Sequence, residues 1–147
     1  MEEALAEAAK AAALKEVPVG AVAICNEQVV ARAHNLRETT NNPLGHAEIL
    51  LLQQLQQQQT NWRFTDVTVV VTLEPCVMCT GALLQARIPK LIYGCKDPKA
   101  GACGSVYDLV ADKKLPHRME VISGVLESEC GQMLKDFFCQ IRANRGF

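Results

Sequence analysis

The stretch Thr72-Leu73-Glu74-Pro75-Cys76-Val77-Met78-Cys79 decides how this chain is organised. A β-branched run from Val67 to Leu73 precedes the cysteines, and the residues from Thr80 to Arg87 have a helical pattern. The stretch therefore predicts a strand that leads directly into a helix, with both cysteines in the first turn and Pro75 at the first helical position. Side chains three residues apart share one face of a helix, so both sulfur atoms can reach one cation.

The composition is that of an ordinary soluble globular protein. The chain has 147 residues, of which 49% are hydrophobic and 21% are charged, and this length suits one compact domain spanning residues 1–147. The formal net charge of −1 excludes a global basic field. Any binding of nucleic acid would therefore depend on a local patch of positive charge.

We expect no disulfide framework among the seven cysteines, because their number is odd and the start of the chain lacks a secretory signal. The start of the chain is acidic and alanine-rich, unlike a secretory signal, and we expect no membrane-spanning segment. We therefore expect a reduced, cytoplasmic protein with some cysteines on a metal ion, or an organellar one if a preceding segment was removed. The five cysteines outside the C-x-x-C pair are expected to be small buried hydrophobes.

Strands and helices alternate along the rest of the chain. Hydrophobic periodicity predicts strands at Val19–Cys25, Gln28–His34, Leu91–Cys95 and Met119–Ser123, and helices at Ala4–Lys15, His46–Gln59 and Glu127–Asn144, with a helical turn at Ser105–Val110. Six apolar residues of the last helix lie at helical spacing, namely Cys130, Met133, Leu134, Phe137, Phe138 and Ile141. This alternation predicts an α/β fold, a three-layer α/β/α sandwich around a mixed sheet of about five strands.

The two cysteines need a third partner if they hold a catalytic zinc ion, which takes three protein ligands and leaves the fourth position to water. The chain has three histidines, His34, His46 and His117. His46 is the strongest candidate because it opens a predicted helix directly after Gly45. The predicted metal ligands are therefore His46 together with Cys76 and Cys79.

Glu48 follows His46 by two residues, which on a regular helix would point the two side chains about 200° apart. The two can share a pocket only if His46 stands at the mouth of the helix, before the backbone becomes regular. Two alternatives stay open at this point. A structural zinc site would recruit a fourth ligand such as Cys95 or Cys103, or His46 could simply cap a helix beside two buried cysteines.

His46-Ala47-Glu48 followed by Pro75-Cys76-Val77-Met78-Cys79 resembles the signature of the cytidine-deaminase superfamily of zinc nucleobase deaminases. Enzymes with this signature include those that act on a base extruded from its strand. The chain also resembles the bacterial tRNA-specific adenosine deaminases from about residue 3 to about residue 142. The matching segments are Val17–Ala21, Ala47–Ile49, Thr72–Cys79, Gly81–Ala82, Gly101–Ala102, Gly104–Ser105, His117–Arg118 and Asp136–Phe138.

The resemblance implies a cytidine-deaminase-like fold and one zinc ion per subunit, held by His46, Cys76 and Cys79. It implies that Glu48 moves protons while water replaces the amino group at carbon 6 of adenine. It also implies a homodimer in which each site is bordered by the partner subunit.

The implied substrate is the wobble adenosine of a tRNA, as in tRNA-Arg with an ACG anticodon, which is converted to inosine. The anticodon stem-loop would be the binding partner, with contacts at Asn35, Asp97 and Lys99. Asn35 is equally compatible with an Asx-turn and Asp97 with an Asp-Pro turn. The other functions that remain open are a small-molecule deaminase acting on guanine, cytosine or a nucleotide, and a non-catalytic RNA-binding subunit that kept its zinc.

Overall fold

A computed structural model describes residues 1–145 of the chain. The elements in chain order are α1 (Glu2–Ala13), β1 (Gly20–Cys25), β2 (Gln28–His34), α2 (Ala47–Gln58), β3 (Thr68–Leu73), α3 (Val77–Gln85), β4 (Lys90–Cys95), β5 (Glu120–Ile122) and α4 (Glu127–Asn144). This order confirms the predicted alternation, with most bounds shifted by one or two residues. The predicted helical turn at Ser105–Val110 is wrong, because this segment folds back through a bridge between Cys103 and Asp108.

The five strands form one mixed sheet in the order β2-β1-β3-β4-β5. Strand β1 is antiparallel to both of its neighbours, whereas β3, β4 and β5 are parallel to one another. Strands β1 and β2 are joined by the two residues Asn26 and Glu27, both with positive φ (51° and 63°). Such a turn matches the right-handed twist of a hairpin.

Helices cover both faces of the sheet and confirm the predicted three-layer sandwich. On one face, Ala4 of α1 packs with Val22 and Val70 of the sheet. On the other face, Leu51 of α2 and Leu83 of α3 belong to the larger core cluster. Parallel β3 and β4 are thereby buried on both sides, as parallel strands require.

Two glycines of the sheet allow close contacts with helices α1 and α4. A Cβ atom on Gly20 would lie 2.0 Å from the carbonyl oxygen of Ala4, and one on Gly94 would lie 2.3 Å from the Sγ atom of Cys130. Helix α1 therefore packs against β1, and α4 against β4, at distances that any larger residue would prevent.

Helix α4 packs through fewer residues than its apolar spacing predicts. Of its six apolar residues at helical spacing, Cys130 and Phe137 are buried, whereas Phe138 is 44% exposed. The prediction that the remaining cysteines are buried is wrong for Cys139, which is exposed on this helix. Cys25 and Cys103 are only half-buried. Within residues 1–145, no helix combines the length and the apolar character needed to cross a bilayer.

Candidate active site

Two helix starts meet beside the carboxyl end of β3. His46 is the N-cap residue of α2 with an extended backbone (φ −76°, ψ 150°), and Cys76 is the N-cap residue of α3 (φ −75°, ψ 179°). Cys79 lies in the first turn of α3, as predicted. Pro75 precedes the N-cap and does not occupy the first helical position, which is taken by Val77. The proline therefore restricts the approach of the chain to α3 without being part of that helix.

The loop before α2 places His46 outside the regular helix. The N–H of Gly45 donates to the carbonyl of Asn42 (3.0 Å), and the N–H of His46 donates to the carbonyl of Leu44 (2.8 Å). A Cβ on Gly45 would lie 3.1 Å from the Cα of Arg37, so the turn packs closely against the start of the 35–45 loop. Because His46 keeps an extended backbone, its side chain and that of Glu48 line the same pocket.

His46, Cys76 and Cys79, called here the donor group, present three metal-ligating atoms to one point. The Nδ1 atom of His46 lies 3.7 Å from the Sγ of Cys76 and 3.5 Å from the Sγ of Cys79. A zinc ion with ordinary Zn–N and Zn–S bonds in tetrahedral geometry would require a separation of about 3.6 Å. The donor group therefore fits zinc in both the identity and the spacing of its atoms.

The other two histidines are engaged elsewhere. The Nδ1 of His34 pairs with the carboxylate of Glu7 at 2.8 Å, and the Nε2 of His117 lies 3.0 Å from the carbonyl oxygen of Ile88. The two cysteines considered as a fourth ligand also lie outside the donor group. Cys95 contacts the carbonyl of Thr72, and Cys103 contacts the hydroxyl of Thr80.

The thiols of Cys76 and Cys79 have unequal acidities. A hydrogen bond from Cys79 lowers the pKa of the Cys76 thiol to about 4, against the opposing effect of burial and with further help from His46. The same hydrogen bond, together with burial, raises the pKa of Cys79. The Cys76 thiolate in turn raises the pKa of His46. Cys76 therefore carries the thiolate form, which is the metal-ligating form of cysteine.

Glu48 is a buried carboxyl group, only 4% exposed. Burial raises its pKa to about 7, and the nearby charge of Cys76 acts in the same direction. A carboxyl group with a pKa near neutrality can both accept and release a proton at physiological pH. Strongly shifted groups in a cleft are typical of catalytic residues.

The pocket above these residues has a volume of about 170 Å³. We call the donor group and Glu48 the pocket floor. Two loops, residues 35–45 and residues 96–105, contribute the pocket walls. The pocket lining includes Val17, Val19, Asn35, Arg37, Leu73, Glu74, Asp97 and Ala100. Apolar side chains at the strand ends and a few polar groups on loops are typical of a site for a small planar ligand.

Two of the three predicted substrate contacts lie in this lining. The side chain of Asn35 donates to the carbonyl of Val17 (3.2 Å) and accepts from the N–H of Arg37 (3.1 Å), so it forms the Asx-turn considered above. Asp97 caps its own turn by accepting from the N–H groups of Lys99 and Ala100. Lys99 lies outside the pocket, in a groove that Phe138 and Arg142 of α4 also line.

Sequence reasoning missed Arg37 and Glu16. Arg37 lines the pocket, and Glu16, which is 1% exposed, accepts hydrogen bonds from the N–H groups of Glu38 (3.1 Å) and Thr39 (2.6 Å). A buried carboxylate of this kind holds the 35–45 loop in place. The available signal was a lone acidic residue between the end of a helix and the first strand, a pattern that is also common on surfaces.

The sandwich fold, the donor group at two helix starts and the buried glutamate define a deaminase. The model of the MafB19-like deaminase family matches residues 1–142. The tRNA-specific adenosine deaminase of Bacillus subtilis (strain 168) is 45% identical over 145 residues, which are 99% of this chain and 90% of that protein. The chain belongs to the family of tRNA-specific adenosine deaminases.

Solved structures agree with this assignment. A structure from a study of A-to-I editing by tRNA:A34 deaminases superimposes with a TM-score of 0.87 at 38% identity, covering 90% of this chain and 96% of that one. A guanine deaminase from Nitrosomonas europaea superimposes with a TM-score of 0.76 at 19% identity, covering 92% and 81%. This second likeness shows a shared fold.

Proposed function

We propose that this enzyme converts the wobble adenosine of a tRNA to inosine by hydrolytic deamination, and that tRNA-Arg with an ACG anticodon is a substrate. The observation that carries the proposal is the buried carboxyl group of Glu48, which lines the same pocket as His46 and Cys76 and has a pKa of about 7. The 45% identity to a tRNA-specific adenosine deaminase supports the choice of substrate.

We further propose one zinc ion per subunit, held by His46, Cys76 and Cys79. Zinc bound there would supply Lewis-acid activation of a water molecule. Two sulfur ligands and one imidazole are a ligand set that favours zinc over magnesium or calcium, which prefer oxygen. The separations of 3.5 Å and 3.7 Å within the donor group support this assignment.

In the proposed reaction, Glu48 takes a proton from the attacking water and delivers it to ring nitrogen 1 of adenine. The water oxygen bonds to carbon 6. Glu48 then takes the remaining proton of that oxygen and transfers it to the amino group, the bond between carbon 6 and that nitrogen breaks, and ammonia leaves. The product carries a carbonyl group at carbon 6, which is inosine. Glu48 suits this role because it is enclosed and lies outside the donor group, so it stays free to move protons.

The walls would bind the RNA. Asn35 and Asp97 line the pocket beside the base, and Lys99 lies with Arg142 in the groove next to it, where positive charge suits phosphate groups. An unpaired anticodon loop can extend a base into a pocket of this kind. We also propose a homodimer in which the partner subunit borders the site, and a cytoplasmic location, where tRNA is found.

The test is direct. The protein is incubated with a tRNA-Arg transcript that bears an ACG anticodon, and sequencing then reports A-to-G changes at the wobble position. A transcript with GCG at the anticodon is the matched control. Free bases and nucleotides are followed in parallel by ultraviolet absorbance. Deamination of free bases without any change in the tRNA would replace the proposal by a small-molecule deaminase of the same fold.

A further inference from the structure

The carboxylate of Glu74 lies between the pocket floor and the 96–105 loop. The residue is 1% exposed. Its Oε1 atom accepts hydrogen bonds from the backbone N–H of Asp97 (3.1 Å) and from the hydroxyl of Ser105. Its Oε2 atom accepts from the backbone N–H groups of Cys103 (3.0 Å) and Ser105 (3.1 Å). One buried side chain thus binds both ends of the loop.

The middle of the loop is packed against the same carboxylate. A Cβ on Gly101 would lie 2.4 Å from the Cδ and Oε2 atoms of Glu74, so a larger residue there would displace the loop or the carboxylate. The N–H of Ala102 also donates to the carbonyl of Pro75 at 2.9 Å. The loop therefore adopts its position by wrapping around Glu74. Its first residues, Asp97 and Ala100, line the pocket.

We infer that Glu74 is a positioning residue, which holds the 96–105 loop and thereby sets where the Asp97 side of the pocket meets the substrate. The inference rests on the proposed function for the identity of that substrate. Glu74 acts through the loop, and contact with the base is not required. A carboxylate offers acceptor sites only, and the four donors of the loop use both of its oxygen atoms.

Two substitutions disturb this arrangement from opposite sides. Glu74→Gln keeps the shape of the side chain but replaces one acceptor oxygen by an NH₂ group that faces two donors. Gly101→Ala keeps the carboxylate and forces the loop and the Glu74 side chain apart. Glu7→Gln is the matched control, because Glu7 is also buried, at 4% exposure, and pairs with Lys10 and His34 away from the pocket lining.

Limited trypsin digestion of the folded, zinc-containing protein tests the loop without any substrate. Lys99 lies in the exposed turn of the loop, and cleavage after Lys99 is followed by mass spectrometry. We expect cleavage about tenfold faster in Glu74→Gln and Gly101→Ala, because buried donors lose their acceptor, and no acceleration in Glu7→Gln. Cleavage of Glu74→Gln at the rate of Glu7→Gln would overturn the inference. If Glu74→Gln does not fold, the rate of cleavage of Gly101→Ala relative to Glu7→Gln tests the inference instead.

Kinetics on an anticodon stem-loop then separate positioning from chemistry. In both loop variants we expect KM to rise about tenfold and kcat to stay within about threefold, because the loop binds ground state and transition state alike. Zinc content should equal that of the wild type. Loss of zinc, or a fall in kcat at constant KM, would assign Glu74 to the floor and overturn the inference. A wild-type protein inactive on the stem-loop refutes the proposed function, and the proteolysis result then decides alone.

Discussion

The floor and the walls of the pocket are built on different physical principles. The floor residues His46 and Cys76 are N-cap residues of two helices, and the helices that follow them pack on the sheet through Leu51 and Leu83. The walls are irregular loops, and each loop is held by one buried carboxylate. Glu16 binds the 35–45 loop, and Glu74 binds the 96–105 loop. Chemistry should therefore depend on the floor, whereas folding stability and substrate affinity should depend on the walls.

The largest expected effect is on the donor group. Replacing both Cys76 and Cys79 by alanine should abolish metal binding and reduce deamination to background, because a single imidazole cannot retain zinc. Metal analysis by mass spectrometry and the tRNA sequencing assay measure the two losses. The control is Cys139→Ala, which removes an exposed thiol of α4 and should leave about one zinc per chain. A metal retained by the double variant would remove the basis of the proposed site.

The second effect separates proton transfer from metal binding. Glu48→Gln keeps the size of the side chain but cannot carry a proton, so turnover should fall by about 10²–10⁴-fold while the zinc content is unchanged. Single-turnover deamination of the stem-loop is the measurement. Glu27→Gln, in the turn between β1 and β2, should turn over like the wild type. Near-normal turnover in Glu48→Gln would refute the mechanism.

The smallest effect concerns the wall held by Glu16. Glu16→Gln should lower the free energy of unfolding at pH 7 by about 1–3 kcal/mol. The backbone N–H groups of Glu38 and Thr39 each donate to a different carboxylate oxygen, and in the variant one of them would face an NH₂ group. The floor should be unaffected, so kcat should stay close to the wild-type value. Chemical denaturation measures the stability. Glu38→Gln changes a 77% exposed carboxylate of the same loop and should stay within about 0.5 kcal/mol of the wild type.

The stability contribution of Glu16 should depend on pH. Burial tends to raise the pKa of Glu16, but the hydrogen bonds from Thr39 and Glu38 outweigh it, so the pKa is lowered in the folded protein. A lowered pKa stabilises the fold at every pH above the unfolded value of about 4.3, and the contribution disappears as pH falls through the folded value. The stability difference between wild type and Glu16→Gln should therefore shrink below about pH 4. A constant difference down to pH 3 would contradict it.

The floor could be predicted from the sequence because its signals are local. A proline or glycine before each helix, and cysteines three residues apart, fix the direction of these side chains whatever the rest of the fold does. The sandwich class followed from periodicity in the same way. Periodicity alone left the order of the strands open, and β1 lies between β2 and β3 because of pairing between Ala21 and Val71, which are distant in sequence.

The walls could not be predicted because their contacts are non-local. The contact between Glu16 and Thr39 spans 23 residues of the chain, and that between Glu74 and Ser105 spans 31. The same limit explains the error at Ser105–Val110, where tertiary hydrogen bonds override local helical preference. The prediction of one buried apolar face on α4 was wrong for a related reason. Apolar spacing marks a face, but whether that face is buried depends on what packs over it, and Phe138 remains 44% exposed.

The placement of β1 beside β3 also orders events during protein synthesis. The hairpin of β1 and β2 is complete once residue 34 has left the ribosome, and such hairpins form within about 10 μs. Ala21 can pair with Val71, its partner on β3, only after residue 71 has also been synthesised. Loop closure over such a separation is slow compared with local contacts. His46 precedes both cysteines along the chain, so the three atoms of the donor group can come together only after α3 has been synthesised.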